Sequence, residues 1–393
     1  MTLAQRLRYP LYLFSLSHGL HDFFTGVWVL VLAAQRDALG LTYTEIGIAQ
    51  ALYTIATALA QPSFGHYFDR TGTPHRAIWA VAGTTLMVLG AALAPNYALL
   101  VVAGVGAGLG SASYHAAGLG NARRLADGRG PGRATAIFLL LGNGGFALGA
   151  AVGGFVLDAY GARALTVPAL AIVFTAPFLV RALQPVLAGR EAGRKSRTAG
   201  DLLRGGRTAL LPIVAFMLLV TANQFYFGAF TTYLPQFFEE GGASLRYAGN
   251  VTSVYLLFAA FGSFVGGTLS DVLPRRVVAG GAMVIIAPLS FLVLRSDGVS
   301  LLGLSVLLGL ATNISLPILL LIGQEIMPGG ASGAGGYAFG FTFLARAVTT
   351  PIVGALGDSF SLLAALTISG LVPLFAVGFM MLLPHPALAN ESA

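Results

Sequence analysis

Residues 46–68, 134–157, 208–238, 247–270 and 298–324 contain no Asp, Glu, Lys or Arg. A helix needs about 20 apolar residues to cross the hydrocarbon core of a bilayer, so each run is long enough to span. Residues 77–122 are equally free of charge but are broken by Ala94-Pro95-Asn96-Tyr97, which reads as two spans joined by a tight hairpin. These runs leave room for few charges, and the chain has only 9% charged residues where a soluble domain carries roughly 25%. Mean hydropathy is +0.80. A closed β-barrel also satisfies backbone polar groups in lipid, but it needs short alternating segments. The runs here are long and apolar on every face, so they predict helices.

Twelve helices are predicted near 10–34, 44–64, 76–95, 98–120, 134–157, 163–183, 208–234, 247–268, 277–295, 299–323, 335–357 and 361–384. If the amino end is cytoplasmic, seventeen of the 22 Lys and Arg fall on the cytoplasmic side. Four, Arg36, Arg163, Arg246 and Arg295, fall on the other side, and Arg346 lies within a helix. The positive-inside rule therefore places both termini in the cytoplasm. The net charge of +7 is thus a topology signal and not a nucleic-acid patch. Met1–Tyr9 is short and carries Arg6 and Arg8, and the apolar run after it is long enough to remain as a span, so no cleaved leader is expected. The absence of cysteine excludes disulfide and thiol chemistry.

The polar segment 184–207 divides the chain into an amino-terminal bundle, 1–183, and a carboxy-terminal bundle, 208–393. A shift of 202 residues aligns the two. His21-Asp22 then falls on Asn223-Gln224, Gly26 on Gly228, Gly47 on Gly249, and Tyr53 on Tyr255. Gly65-x-x-x-Asp69 falls on Gly267-x-x-x-Asp271. Parallel six-helix repeats are one transporter design. The expected fold is an all-α membrane protein of twelve transmembrane helices in two pseudo-symmetric six-helix bundles.

Gly65-x-x-x-Asp69-Arg70-x-Gly72, followed by Arg76, resembles the signature of the major facilitator superfamily between its second and third helices. The resemblance implies a cytoplasmic latch, with Gly267, Asp271, Arg275 and Arg276 as its second copy; Thr73 and Pro74 stand where the family carries basic residues. Several further segments resemble the fosmidomycin-resistance group of that superfamily. They are Ser15-x-Ser17-His18-x-x-x-Asp22, Leu41-Thr42-x-x-x-Ile46-Gly47, Gln61-Pro62-x-x-Gly65, Gly110-Ser111-x-x-x-His115 with Ala122-Arg123, and Gln324-Glu325-x-x-Pro328. That group implies proton-driven export of small molecules. The chain departs from it at Ala116-Ala117, where the group has Pro-Glu, and at Arg346, which lies outside its pattern. Gly145-x-x-x-Gly149-Ala150-x-x-Gly153-Gly154 is similar to an antiporter motif, with Ala150 in place of proline. Ordinary small-residue packing accounts for it equally.

An ionisable group at the bilayer centre costs roughly 2.5–3.5 kcal/mol on the insertion scale unless it meets a partner or water. The few that lie in the helices are therefore the first site candidates. His18 and Asp22 are one turn apart and share a helix face, which suits proton loading or a structural pair. His21 is expected to point elsewhere, towards substrate. His115, Asn223, Gln224 and Tyr226 are the other polar candidates for substrate contact. Arg346 either clamps an anionic substrate with two bonds or pairs with Asp22 or Glu325. His66 and His75 are expected to be solvated, and the six histidines show no metal-ligand spacing. No cofactor is expected.

No Walker motif is present, no nucleophile or ligand constellation suggests an enzyme, and the segments between spans are too short for a sensor's output domain. The expectation is a monomeric secondary transporter in a bacterial inner membrane, coupling protons to export of a small molecule, with proton-coupled uptake as the alternative.

Overall fold

A computed structural model describes residues 10–125, 131–188, 210–326 and 331–383. They form twelve α-helices and, among the described residues, no strand. The first half contains α1 (Pro10–Leu39), α2 (Tyr43–Thr71), α3 (Trp79–Ala92), α4 (Tyr97–Arg124), α5 (Pro131–Tyr160) and α6 (Thr166–Leu187). The second contains α7 (Leu210–Glu240), α8 (Leu245–Val272), α9 (Arg275–Val293), α10 (Gly298–Ile326), α11 (Ala331–Ser359) and α12 (Leu362–Ala376). Among the described residues, nine helical segments are long and apolar enough to cross a membrane. Three are not among them: α3 has 14 residues, Gln50 and Gln61 lower the hydropathy of α2, and Arg346 and Asp358 that of α11. Most of the segment 184–207 lies outside the described residues.

The repeat reappears in the packing. Thr42 caps α2 by accepting from the Glu45 amide at 3.1 Å, while Glu45 accepts from the Thr42 amide at 2.8 Å. Its equivalent, Ser244, caps α8 through the Tyr247 amide at 3.2 Å. Gly108 of α4 lies against the Tyr53 carbonyl of α2, and Gly309 of α10 against the Tyr255 carbonyl of α8. In the first half, α5 docks on α1 through the glycines of the antiporter-like run. Gly145 abuts the Gly19 backbone and Gly149 the Phe23 carbonyl, so a side chain at either would displace the neighbouring helix. Without a hydrophobic drive between helices in lipid, this close backbone approach is what holds them together.

Among the described residues, the hydrogen bonds between the halves gather at one end. Asp358 of α11 accepts from the Tyr43 and Thr44 amides at 2.8 Å each, placing a carboxylate on the positive end of α2. The Tyr233 hydroxyl is shared between the Thr350 and Tyr43 carbonyls, at 2.7 and 3.0 Å, and Thr350 donates to the Gly47 carbonyl at 3.1 Å. Gly154 of α5 packs on Gly249 of α8. All these contacts lie where α2 and α8 begin, and among the described residues no hydrogen bond joins the halves at the opposite end. The main apolar core likewise runs through both halves. Towards the opposite end, separate clusters form around Phe68 and Ala117 in one half and around Phe216, Met283 and Ile318 in the other.

The latch residues sit differently from the expectation of a loop. Gly65, Asp69 and Arg70 occupy the last turns of α2, and Gly267 and Asp271 those of α8; Gly65 and Gly267 both face open space. Gly72 ends α2 with φ +67°, the left-handed cap glycine adopts without strain, and its amide donates to the Phe68 carbonyl at 2.8 Å. Arg76 donates to the Tyr67 hydroxyl at 3.0 Å, Arg70 is exposed, and Arg275 opens α9. The side chains of Asp69 and Asp271 lie outside the described residues. His75, expected in solvent, is buried against this turn; burial and the neighbouring Arg76 push its pKa down.

Candidate functional site

α1 and α4 build the first cluster. The i, i+4 spacing on α1 brings His18 Nε2 to 3.1 Å from Asp22 Oδ2. The His18 ring enters the gap left by Gly142 on α5, where any Cβ would strike it, and stacks on Phe138 with centroids 3.9 Å apart. Its Nδ1 reaches the Phe138 carbonyl at 2.8 Å. From α4, His115 brings Nε2 to 3.3 Å from His18 Nε2 and 3.8 Å from Asp22 Oδ1. His115 Nδ1 lies 2.9 Å from the Ser111 carbonyl one turn back.

His21 does not point elsewhere. It is fully buried, stacks on Tyr114 at 4.6 Å, and sets Nε2 3.9 Å from Asp22 Oδ1. The Tyr114 hydroxyl is fixed in turn by Ser17 at 2.6 Å. Exposure separates the roles open to these groups. His18 and His21 are 3% and 0% exposed, whereas Asp22 and His115 retain 13% and 22%, so of the four only the latter two keep open surface. Sequence spacing of the histidines hides this gathering: His18, Asp22 and His115 place donor atoms within 4.8 Å of one another across 97 residues.

The equivalent level of the second half holds a different set. Arg346 of α11 donates to Gln224 Oε1 of α7 from Nη2 at 2.9 Å and from Nε at 3.3 Å. Its guanidinium lies 4.5 Å from the Phe227 ring. Among the described residues Arg346 has no carboxylate in ion-pair range: Asp22 is engaged by His18, and the Glu325 side chain lies outside them. Of the two readings of Arg346, pairing with Asp22 is not made here: Asp22 is held by His18 and Arg346 by Gln224. Asn223 donates to the Thr312 carbonyl at 3.3 Å, leaving Oδ1 unpartnered. Tyr226 is fully buried, accepts from Thr312 at 3.4 Å and packs on Phe230, which places it inside the second bundle.

Tyr53 and Tyr255, the repeat-related pair, both lie within electrostatic reach of the Arg346 guanidinium, and neither hydroxyl has a partner of normal length. The alignment of the halves marks both tyrosines, but a buried aromatic gives no sign in sequence of facing a cation across the two bundles.

The sequence model of the Major Facilitator Superfamily matches residues 14–334. The MFS-type transporter YfnC of Bacillus subtilis (strain 168) is 26% identical over 393 residues, spanning 98% of this chain and 95% of that protein. The fosmidomycin resistance protein of Escherichia coli (strain K12) is 24% identical over 371 residues, 92% of this chain and 90% of that one. A bacterial homolog of the human lysosomal transporter Spinster, solved in an inward-facing and occupied conformation, superposes with a TM-score of 0.78 at 14% identity over 97% of both chains.

Proposed function

This chain belongs to the Major Facilitator Superfamily, and on that premise we propose that it is a secondary transporter exporting a small anionic or amphipathic molecule in exchange for protons. One observation carries the proposal: the titratable cluster and the fixed cation are segregated into opposite halves, with Asp22 and His115 partly exposed and Arg346 unpaired by any described carboxylate. Asp22 with His18 binds and releases the proton. Arg346, held by Gln224, offers its remaining N–H donors to an anionic group, with Asn223, Tyr53 and Tyr255 supplying further polar contacts. Alternating access follows from rocking the half 1–183 against 208–393 about that level.

With both termini cytoplasmic in a bacterial inner membrane, the end sealed by Asp358, Tyr233 and Gly154 is the outer one, and the conformation opens inward. The latch of Gly65, Asp69, Arg70, Gly72 and Arg76, with Gly267, Asp271 and Arg275, closes in the opposite state; the open space at Gly65 and Gly267 suits this reading. Transport requires no cofactor and a single copy of the chain.

Proteoliposomes with an imposed pH gradient and a panel of neutral and anionic probes, fosmidomycin among them, test the proposal. Gradient-dependent accumulation of an anionic probe is expected, and its loss in Asp22→Asn. An Asp22→Asn protein that still accumulates the probe uphill removes the proton role of Asp22. Proton-coupled uptake of an anionic metabolite is the second reading, favoured by Ala116-Ala117 and Arg346, the departures from the exporter pattern. The sign of the gradient that drives accumulation separates the two.

A further inference from the structure

With a proton on each Nδ1, the contacts among His18, His115 and Asp22 lack one donor. A carbonyl oxygen only accepts, so the Phe138 carbonyl at 2.8 Å from His18 Nδ1 assigns a proton to that nitrogen. The Ser111 carbonyl at 2.9 Å does the same for His115 Nδ1, being nearer than the Ser111 hydroxyl at 3.2 Å, which can turn its own proton elsewhere. A neutral imidazole with its proton on Nδ1 presents a bare lone pair at Nε2. The two Nε2 atoms face each other at 3.3 Å, and His18 Nε2 also faces Asp22 Oδ2 at 3.1 Å. Three acceptors thus converge with no donor among them, walled by the Phe138 and Tyr114 rings. Buried acceptors left in that state are costly.

One proton resolves the conflict. Bound at His18 Nε2, it serves both Asp22 at 3.1 Å and the His115 lone pair at 3.3 Å. Passed to His115 Nε2, it keeps the N–H···N bond and an ion pair with Asp22 at 3.8 Å, and in either place the cluster passes from one negative charge to neutrality. A second proton would turn two N–H groups on each other with a single carboxylate to balance them. We propose that His18 and His115 share one transported proton over the Asp22 carboxylate, which makes His115 the second half of the proton carrier and not a substrate contact. The inference rests on the proton-coupled reading above and refines it. The carried proton is also one bond between α1 and α4, beside that of Ser17 to Tyr114, so its loss sets like lone pairs against each other across that helix contact.

The other titratable groups facing the cluster are His21 on α1, Tyr53 on α2 and Tyr114 on α4. α3 contributes the Ala80 carbonyl near His21, and α5 the Phe138 carbonyl and ring. Among the described residues no cation besides these imidazoles acts on Asp22.

Nitrogen-15 NMR on full-length protein with labelled histidine tests this without any substrate. Between about pH 5 and about pH 9, the span over which imidazoles titrate, both Nδ1 atoms should stay protonated. One Nε2 proton should produce scalar coupling between His18 and His115. Protons bound over that range are then counted for His18→Gln, His115→Gln and the double variant. Each of the three should lack the same single proton relative to wild type. Losses that add in the double variant overturn the shared proton. So do two Nε2 atoms bare at every pH, or a stoichiometric divalent metal in the purified wild type; the NMR result decides if the variants fail to fold. In liposomes, His115→Gln should lose the roughly tenfold accumulation that about one pH unit can drive with one proton, while fosmidomycin counterflow persists. If the NMR and proton counts hold but wild type shows no gradient-driven flux, the transport reading fails and the shared proton stands. If wild type is proton-driven and His115→Gln is equally so, the shared proton alone is overturned.

Discussion

At one level of the molecule the two halves carry opposite chemistry on equivalent scaffolds. The first half places His21 and Asp22 where the second places Asn223 and Gln224, and both positions face a partner helix. In the first half the partner is His115 of α4, and every charged group there can titrate. In the second it is Arg346 of α11, a permanent cation bound to a neutral amide. Duplication thus preserved the packing, seen in the paired Gly108–Tyr53 and Gly309–Tyr255 contacts, while the polar contents diverged. A carrier needs one group that changes charge and one that recognises cargo, and separating them keeps each from neutralising the other.

The largest effect should come from erasing that difference. Replacing His21 and Asp22 together by Asn and Gln gives the first half the second half's residues. Gradient-driven accumulation should vanish while downhill counterflow survives, because the amides keep hydrogen bonds but cannot carry a proton. If the double replacement accumulates its probe as wild type does, the division of labour is wrong. Next is Arg346→Lys, which keeps charge and loses the fork geometry. The KM for an anionic probe should rise by about 1–3 kcal/mol equivalent, roughly 5- to 150-fold, with neutral probes unchanged. Equal profiles for both probe classes would dismiss Arg346 as the anion contact.

The span count and the repeat were legible because lipid imposes them: a charge-free run has to be a helix, and a 202-residue offset of polar landmarks survives in a chain that tolerates few. The functional level was half legible. His18 and Asp22 pair within one helix turn, so local spacing reports them. His115 joins them across 97 residues, and His21 turns inward because Tyr114 offers a stacking face; neither contact leaves a periodic trace. The helix ends were misjudged for a physical reason as well. The charged signature at Gly65–Arg70 reads as loop, yet α2 runs to Thr71 and α8 to Val272, so Asp69 and Asp271 lie in helices. The glycines of α5 gave the reverse ambiguity. Their contacts with Gly19 and Phe23 show close packing of α5 on α1, and Gly154 alone among them reaches the other half.

Smaller effects sharpen the comparison at the tyrosines. Tyr53→Phe and Tyr255→Phe each remove one hydroxyl within electrostatic reach of Arg346 and leave the ring in place. Each should weaken anionic-probe binding by about 0.5–1.5 kcal/mol, and the two should act alike if both bundles contribute to one site. A loss confined to Tyr255→Phe would place recognition wholly in the second half.

The remaining effects, ending with the smallest, lie where the halves touch, and there too they differ. α2 is met by a carboxylate from the opposite half, since Asp358 accepts from the Tyr43 and Thr44 amides. α8 has no such partner among the described contacts. It meets α5 through Gly249 on Gly154, with the exposed Arg246 over the Phe155 ring at 5.1 Å. A capping carboxylate is worth about 0.5–2 kcal/mol, and an exposed cation–π contact about 0.5–1 kcal/mol. Asp358→Ala should therefore shift the population away from the sealed form by roughly tenfold, and Arg246→Ala by a few-fold at most. The chain has no cysteine, so a single one introduced for a spin label on each half reports the distance across the sealed end directly. Should Arg246→Ala open that end more than Asp358→Ala, the seal depends on α5 and α8, and the carboxylate cap on α2 is not what holds the halves together.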